Sequence, residues 1–231
     1  MYNKDFAKIY NTEWAGFSES LAEKILALTT NRRSVLDLGC GTGNFLRKLE
    51  KSFERTVGLD LSADMLEIAK QNCPKTKFVL ASIDNFNIDE KFDLITCNYD
   101  TINHLKNLKE WQNMFDCVYK HLNQNGVFVF DFNTIFKMKQ IYPNPITETE
   151  KYIIKSVNKV VDKNHLNMKM EIFDKANNLL AKVDQTESLY NETSIKNALK
   201  KSGFESTKFL NSKFLPLENF DVFRIFAVCK K

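Results

Sequence analysis

No apolar stretch in this 231-residue chain approaches the roughly 20 residues that a helix needs to cross a bilayer. Met1-Tyr2-Asn3-Lys4-Asp5 lacks the basic-then-apolar order of a signal peptide, so a soluble, cytoplasmic protein is expected. The five cysteines (Cys40, Cys73, Cys97, Cys117, Cys229) form no CxxC pair, and no Cys/His cluster has zinc-ligand spacing. Free, mostly buried thiols and no metal site are expected. Lysines are spread without a dense basic block, and the net charge is only +4. That balance permits an acidic partner without demanding nucleic acid. Low-complexity tracts, internal repeats and flexible linkers are absent as well.

What the chain does have is 43% apolar residues and nineteen phenylalanines, enough for one large, strongly aromatic core. Helices are read near 2–10 and 14–29, the second with Phe17, Leu21, Ile25 and Leu28 on one face. Alternation follows. Strand 34–38 leads to a helix over 43–51. Strand 56–60 leads to a helix capped by Ser62 and running to Asn72. Strand 77–81 and then strand 92–97 precede a helix near 107–122, striped by Leu108, Trp111, Phe115, Val118 and Leu122. Asn125-Gly126 turns into strand 127–132. Apolar strands alternating with helices argue an α/β fold whose parallel sheet is covered on both faces.

The pattern changes after Phe136. Strand-like runs near 151–161, 165–173 and 179–190 are separated by Asp162-Lys163-Asn164 and Lys175-Ala176-Asn177-Asn178. In the middle run Leu166, Met168, Met170 and Ile172 alternate with polar residues. An antiparallel meander over 141–190 is therefore expected inside a domain made of 1–140 and 191–231. A helix over 192–202, capped by Asn191 and stopped by Gly203, and strands 205–210 and 221–229 complete the chain.

The most informative stretch is Val35-Leu36-Asp37-Leu38-Gly39-Cys40-Gly41-Thr42-Gly43-Asn44-Phe45. A strand is turned sharply into a helix across a loop stripped of side chains, so backbone N–H groups can touch a ligand directly. The third dinucleotide glycine would fall one position later, on Asn44, and the Lys-Ser/Thr of a phosphate loop is missing. Asp37 would repel phosphate and welcome a cationic amino-acid tail. Asp60, at the end of the next strand, suits the two hydroxyls of an unphosphorylated ribose. The bland readings are a structural turn and an ordinary surface acid.

With Asp37, the glycine loop and Asp60 in this order, the chain resembles the class I S-adenosylmethionine-dependent methyltransferases over nearly its whole length. The resemblance implies a Rossmann-like seven-stranded, mostly parallel sheet of order 3-2-1-4-5-7-6 with strand 7 antiparallel and helices on both faces. It implies S-adenosyl-L-methionine across the carboxyl ends of strands 1, 2 and 4. By position, Asp37, Gly39 and the Cys40–Gly41 backbone would hold the methionine part, and Gly43 and Asn98 are further cofactor-binding candidates. Asp60 would take the ribose, and Leu61 and Met65 would flank the adenine. The usual Asp after strand 3 is replaced by Ser82, followed by Ile83; Asp84 is a substitute. Tyr10 aligns with an N-terminal tyrosine that closes over the cofactor, and Trp14 packs near it or belongs to the core.

Asn98-Tyr99-Asp100-Thr101-Ile102-Asn103-His104 is not the Asn/Asp-Pro-Pro-Tyr/Phe signature of adenine or glutamine methylation. Cys73-Pro74 is not the Pro-Cys of cytosine-C5 enzymes, and the cysteine triad of radical enzymes is missing. Asp-x-x-Asn-His here, with Phe130-Asp131-Phe132-Asn133-Thr134, is similar to a bacterial subgroup of glycine and amino-sugar N-methyltransferase-like proteins. That subgroup carries a β insertion over the acceptor pocket. The expected function is methyl transfer to a small-molecule N or O acceptor by a monomer or homodimer. Asp100 is the first candidate for orienting or deprotonating the acceptor, and His104 the second. The alternatives for them are capping by Asp100 and Asn103 and a packing or surface role for His104. Asn133 and Glu187 are weaker pocket candidates, and His121 and His165 read as surface residues. An RNA methyltransferase and a non-catalytic cofactor-binding protein remain the competing functions.

Overall fold

A computed structural model describes residues 3–14, 16, 18–140 and 143–231. Met1, Tyr2, Ala15 and Phe17, and Ile141 and Tyr142 at the start of the expected insertion, lie outside the described residues. The chain runs α1 (Lys4–Glu13), α2 (Ser18–Leu26), β1 (Ser34–Leu38), α3 (Leu46–Leu49), β2 (Arg55–Asp60), α4 (Ala63–Asn72), β3 (Lys77–Leu80) and β4 (Phe92–Cys97). A 3₁₀ turn (Thr101–His104) leads to α5 (Leu108–His121), β5 (Leu122–Asn133) and α6 (Ile135–Lys139). Then come β6 (Ile146–Glu148), β7 (Tyr152–Asp162), β8 (His165–Asp174), β9 (Leu179–Ser188), α7 (Glu192–Ser202), β10 (Ser206–Leu210) and β11 (Arg224–Lys230).

The main sheet has the order β10-β11-β5-β4-β1-β2-β3. All its pairs are parallel except those of β11 with β5 and with β10. In order of occurrence within this sheet, that is 3-2-1-4-5-7-6 with the seventh strand reversed, as the resemblance implies. Every residue of β1 and β4 is buried, because helices cover both faces. Leu36 and Leu38 face a core built with α5 and α7. Val35 faces the opposite core, with Leu21 and Ile25 of α2 and Leu49 of α3. The first core is strongly aromatic: Phe128 stacks on Phe130 at 4.8 Å, and Trp111 meets Phe115 and Phe132 edge-on.

Local chemistry explains the element ends. Asn3, Ser62, Asn107 and Asn191 each accept a backbone N–H of the first helical turn, and Gly203 stops α7 in a left-handed conformation. Helix α5 is thus capped by Asn107, not by Asp100 or Asn103. The helix expected over 43–51 shrinks to four residues, because Gly43 has φ +78° and cannot begin a helix. Strand β5 starts five residues earlier than expected. Leu122 pairs with Phe92 before the chain loops out through Asn125, at φ 64°, and resumes with Val127 opposite Leu94.

His121 is a further correction: it is buried, not a surface residue. Its Nδ1 donates to the Cys117 carbonyl at 2.7 Å, and its Nε2 accepts from the Ile88 N–H at 3.1 Å, which suits the neutral ring. His165 is partly buried, between Asp162 and the Lys106 carbonyl.

The insertion is a separate antiparallel sheet, β6-β7-β8-β9, one strand more than the sequence pattern indicates. Its inner face, with Ile154, Ile172, Ala181 and Val183, packs on Phe6, Ala7 and Ile9 of α1 and on Met65 of α4. Helix α1 therefore lies between the inserted sheet and the loop that follows β1. No helix among the described residues is long and apolar enough to cross a membrane.

Candidate active site

The carboxyl ends of β1 and β4 converge on one cavity. It is lined by Tyr10, Trp14, Asp37, Gly39, Cys40, Thr42, Asn44, Phe45, Asn98 and Tyr99. Six of these are residues the sequence singles out: Tyr10, Trp14, Asp37, Gly39, Cys40 and Asn98.

The loop is shaped by what it touches. Gly39 has φ +67°, and a Cβ there would sit 2.3 Å from Cγ2 of Thr101. A side chain is excluded by both strain and space. A Cβ on Gly41 would face the Tyr10 ring at 3.5 Å, so the loop backbone is bared toward α1. Gly43 closes the turn through its N–H to the Cys40 carbonyl at 2.9 Å. The Cys40 thiol, pushed well up by burial, is held in its neutral form.

Asp37 is buried, and Thr96, its register partner on β4, donates its hydroxyl to Oδ1 at 2.7 Å. Burial pushes the Asp37 carboxyl up to about 7, against the pull of the Thr96 hydroxyl and with a smaller push from Asp60. Asp60 accepts the Gly41 N–H on Oδ2 and the Ser62 N–H on Oδ1, each at 2.8 Å. It thereby ties β2 to the glycine loop. Burial raises its carboxyl too, while those backbone donors lower it. The lone pairs of this carboxylate that the backbone does not take remain for a ligand.

Asn98 is 3% exposed, and neither its amide nitrogen nor its amide oxygen has a hydrogen-bond partner among the described residues. An unsatisfied buried amide costs roughly 1–3 kcal/mol per group. One donor and one acceptor are thus held beside the Asp37 carboxylate. Above them Tyr10 and Trp14 stack, with centroids 5.7 Å apart.

The neighbouring residues extend the site along β2 and β3. Leu61 is 58% exposed, whereas Met65 is buried and donates its N–H to the Ser62 hydroxyl. Ala81 N–H bonds the Asp60 carbonyl at 3.1 Å, which brings Ser82 and Ile83 beside the second acid. The Ser82 hydroxyl donates to Asp84. His104 stands near enough to Asp60 for the two side chains to interact electrostatically.

Asp100 lies outside this cavity. Its carboxylate is paired with Arg224 and accepts from the Asn133 amide at 2.9 Å. Asn133 also donates to Glu187 of β9 at 3.0 Å, and Glu187 is ion-paired with Lys137 at 2.9 Å. The two weaker candidates, Asn133 and Glu187, thus bridge the main sheet and the inserted one. Besides the remaining lining residues of the cavity, Thr96, Asp131, Lys137 and Arg224 escaped the sequence reading. Only Asp131 sits in a motif that sequence inspection isolates. Tyr99 and Asp100 both adopt left-handed φ, 60° and 52°, at a cost of roughly 1–3 kcal/mol each.

Known proteins resemble this chain in sequence and in fold. Residues 35–126 match the methyltransferase domain family. The dTDP-4-amino-2,3,4,6-tetradeoxy-D-glucose N,N-dimethyltransferase of Saccharopolyspora spinosa is 28% identical over 138 residues, 57% of this chain and 55% of that protein. The match thus spans little more than half of that relative's length. A solved S-adenosylmethionine-dependent methyltransferase from Clostridium acetobutylicum superposes with a TM-score of 0.83 at 27% identity, covering 97% of each chain. The fold is also that of an amino pentose methyltransferase from Micromonospora echinaspora, with a TM-score of 0.74, 20% identity and coverage of 100% and 98%. Residues 35–126 are therefore a methyltransferase domain, within a chain that carries the S-adenosylmethionine-dependent methyltransferase fold along nearly its full length.

Proposed function

We propose that this protein transfers a methyl group from S-adenosyl-L-methionine to an amino or hydroxyl group of a small molecule, with an amino sugar as the favoured acceptor class. The observation that carries the reading is the buried, unpartnered Asn98 amide beside the Asp37 carboxylate. A methionine tail, with its ammonium and carboxylate, supplies the acceptor and donor that this pair needs. Asp60 takes the ribose hydroxyls, and exposed Leu61 with Ile83 forms the apolar bed of the adenine. The aromatic faces of Tyr10 and Trp14 suit a sulfonium. Both rings line the cavity beside the glycine loop.

When bound, the donor supplies an electrophilic methyl on a positively charged sulfur. The chain holds the acceptor nitrogen or oxygen in line with that methyl, within about 3–3.5 Å. Asp100, committed to Arg224 and Asn133, orients the acceptor rather than taking its proton. His104, whose ring makes no hydrogen bond among the described residues, is the available proton acceptor. The inserted sheet, through Glu187 and its ion pair with Lys137 of α6, forms the far wall of the acceptor pocket. The amino-sugar preference draws on the relatives described above.

Calorimetric titration with S-adenosylmethionine tests the donor. A release assay for S-adenosylhomocysteine over amines, amino acids and dTDP-linked amino sugars tests the acceptor. Absence of donor binding would sink the proposal. Asp100→Asn is expected to lower turnover by about 10–30-fold with donor affinity within about twofold, the size of a lost charge-assisted hydrogen bond. Ser82→Ala is expected to weaken donor binding by only about 3–10-fold, because a neutral hydroxyl contributes roughly 0.5–1.5 kcal/mol. A wild-type dissociation constant would remove Ser82 from the adenine site.

A further inference from the structure

The backbone after β4 is bent in a way that ordinary residues resist. Tyr99 and Asp100 are consecutive, neither is glycine, and both are left-handed. Their N–H groups go to a single carboxylate on the neighbouring strand. Tyr99 N–H donates to Oδ2 of Asp131 at 3.0 Å, and Asp100 N–H to Oδ1 at 2.5 Å. Asp131 is fully buried on β5, between Phe130 and Phe132 of the aromatic core. Arg224 of β11 donates through one nitrogen to the same Oδ2 at 3.3 Å and through the other to the Asp100 carboxylate. One guanidinium thus joins the acid that holds the bend to the acid that the bend displays.

A buried carboxylate is retained only where its partners demand it, since isolated burial of a charge is strongly unfavourable. Packing alone would be met at position 131 by an apolar residue. Among the described residues, the hydrogen-bond and ion-pair partners of Asp131 are the two elbow amides and Arg224. The consequence of the bend is a division of labour. Tyr99 lines the donor cavity, while the Asp100 side chain points to Arg224 and Asn133, on the side of the inserted sheet.

We infer that Asp131 and Arg224 are positioning residues for methyl transfer: the Asp131 carboxylate templates the left-handed Tyr99–Asp100 elbow, and Arg224 locks the Asp100 side chain to it. Donor-side and acceptor-side groups are thereby set in one fixed relation. The role in transfer rests on the methyl-transfer reading above; the elbow clamp itself does not.

Hydrogen–deuterium exchange on the full chain reads the clamp, with Arg224→Met, Arg224→Lys and Asp131→Asn as variants. The Tyr99 and Asp100 amides are expected to exchange at least tenfold faster in Arg224→Met and Asp131→Asn, with protection of β1 and β4 unchanged. Turnover of the amine that releases S-adenosylhomocysteine fastest is expected to fall about 30-fold in Arg224→Met. The S-adenosylhomocysteine dissociation constant should stay within about threefold, and Arg224→Lys should recover much of the rate. A residue that merely stabilised the fold would instead raise exchange throughout and weaken donor and turnover together; that result overturns the inference. So does unchanged exchange at the elbow in Arg224→Met, which decides the matter should Asp131→Asn fail to fold. If wild-type protein binds no S-adenosylhomocysteine, the methyl-transfer reading and the transfer role fall, and elbow exchange alone upholds or overturns the clamp.

Discussion

Asp60→Ala is expected to weaken S-adenosylmethionine binding by about 10³-fold while the protein stays folded. The proposed ribose contact consists of two hydroxyl donors on one carboxylate. Hydrogen bonds to a charged acceptor are each worth roughly 1.5–3 kcal/mol, so losing both costs about 4 kcal/mol, or three powers of ten. The same substitution frees the Gly41 and Ser62 N–H groups that Asp60 accepts. That loosens the glycine loop against β2 and adds to the loss. Stability should change little. Asp60 is only partly buried, so water reaches the freed amides, and an acid whose carboxyl is raised by burial is removed at the same time. Asp60→Asn keeps one acceptor and should fall between the two. Titration calorimetry beside thermal melting separates the effects. An unchanged dissociation constant for Asp60→Ala would take this residue out of the ribose site.

That prediction was available from the sequence, because the groups it concerns lie close together in the chain. Asp37, the glycines and Asp60 are linked by one strand–loop–helix–strand unit, and the βαβ rule fixes how it folds. The parts that were hidden depend on distant partners. Arg224 meets Asp131 across 93 residues, and Thr96 meets Asp37 across 59. A single sequence holds no sign of either pairing. β6 is three exposed residues long, too short for any periodicity to register. His121 is different. It lies three positions after Val118 on the buried stripe of α5, so the helical spacing carried the information, and its polar chemistry misdirected the assignment to the surface. The shortened α3 shows the reverse case: the glycines that mark the ligand loop are left-handed, and the same property delays the helix they introduce.

Lowering the pH from 7 to 5 is expected to weaken donor binding by about 50-fold, with Asp37 as the dominant cause. Burial pushes its carboxyl up to about 7, so near neutrality the donor-free protein holds a proton there about half the time. A cationic tail selects the carboxylate. Below pH 7 a proton must leave before the donor binds, which costs tenfold per unit. Stability of the donor-free protein has the opposite sign. The folded value lies above the ordinary 3.8, so between about pH 4 and 7 the folded chain keeps a proton that the unfolded chain has released. The contribution of Asp37 to stability is therefore complete below about pH 4 and is lost as pH rises through 7. Burial raises Asp60 and Asp131 in the same direction. The melting temperature of the donor-free protein should thus fall across this window, while the rise in melting temperature produced by the donor grows. Asp37→Asn should flatten much of both slopes, since the amide does not titrate. Calorimetric titrations and thermal melts at pH 5, 6, 7 and 8 measure both; donor affinity independent of pH in the wild-type protein would show that the carboxylate of Asp37 does not meet the cationic tail.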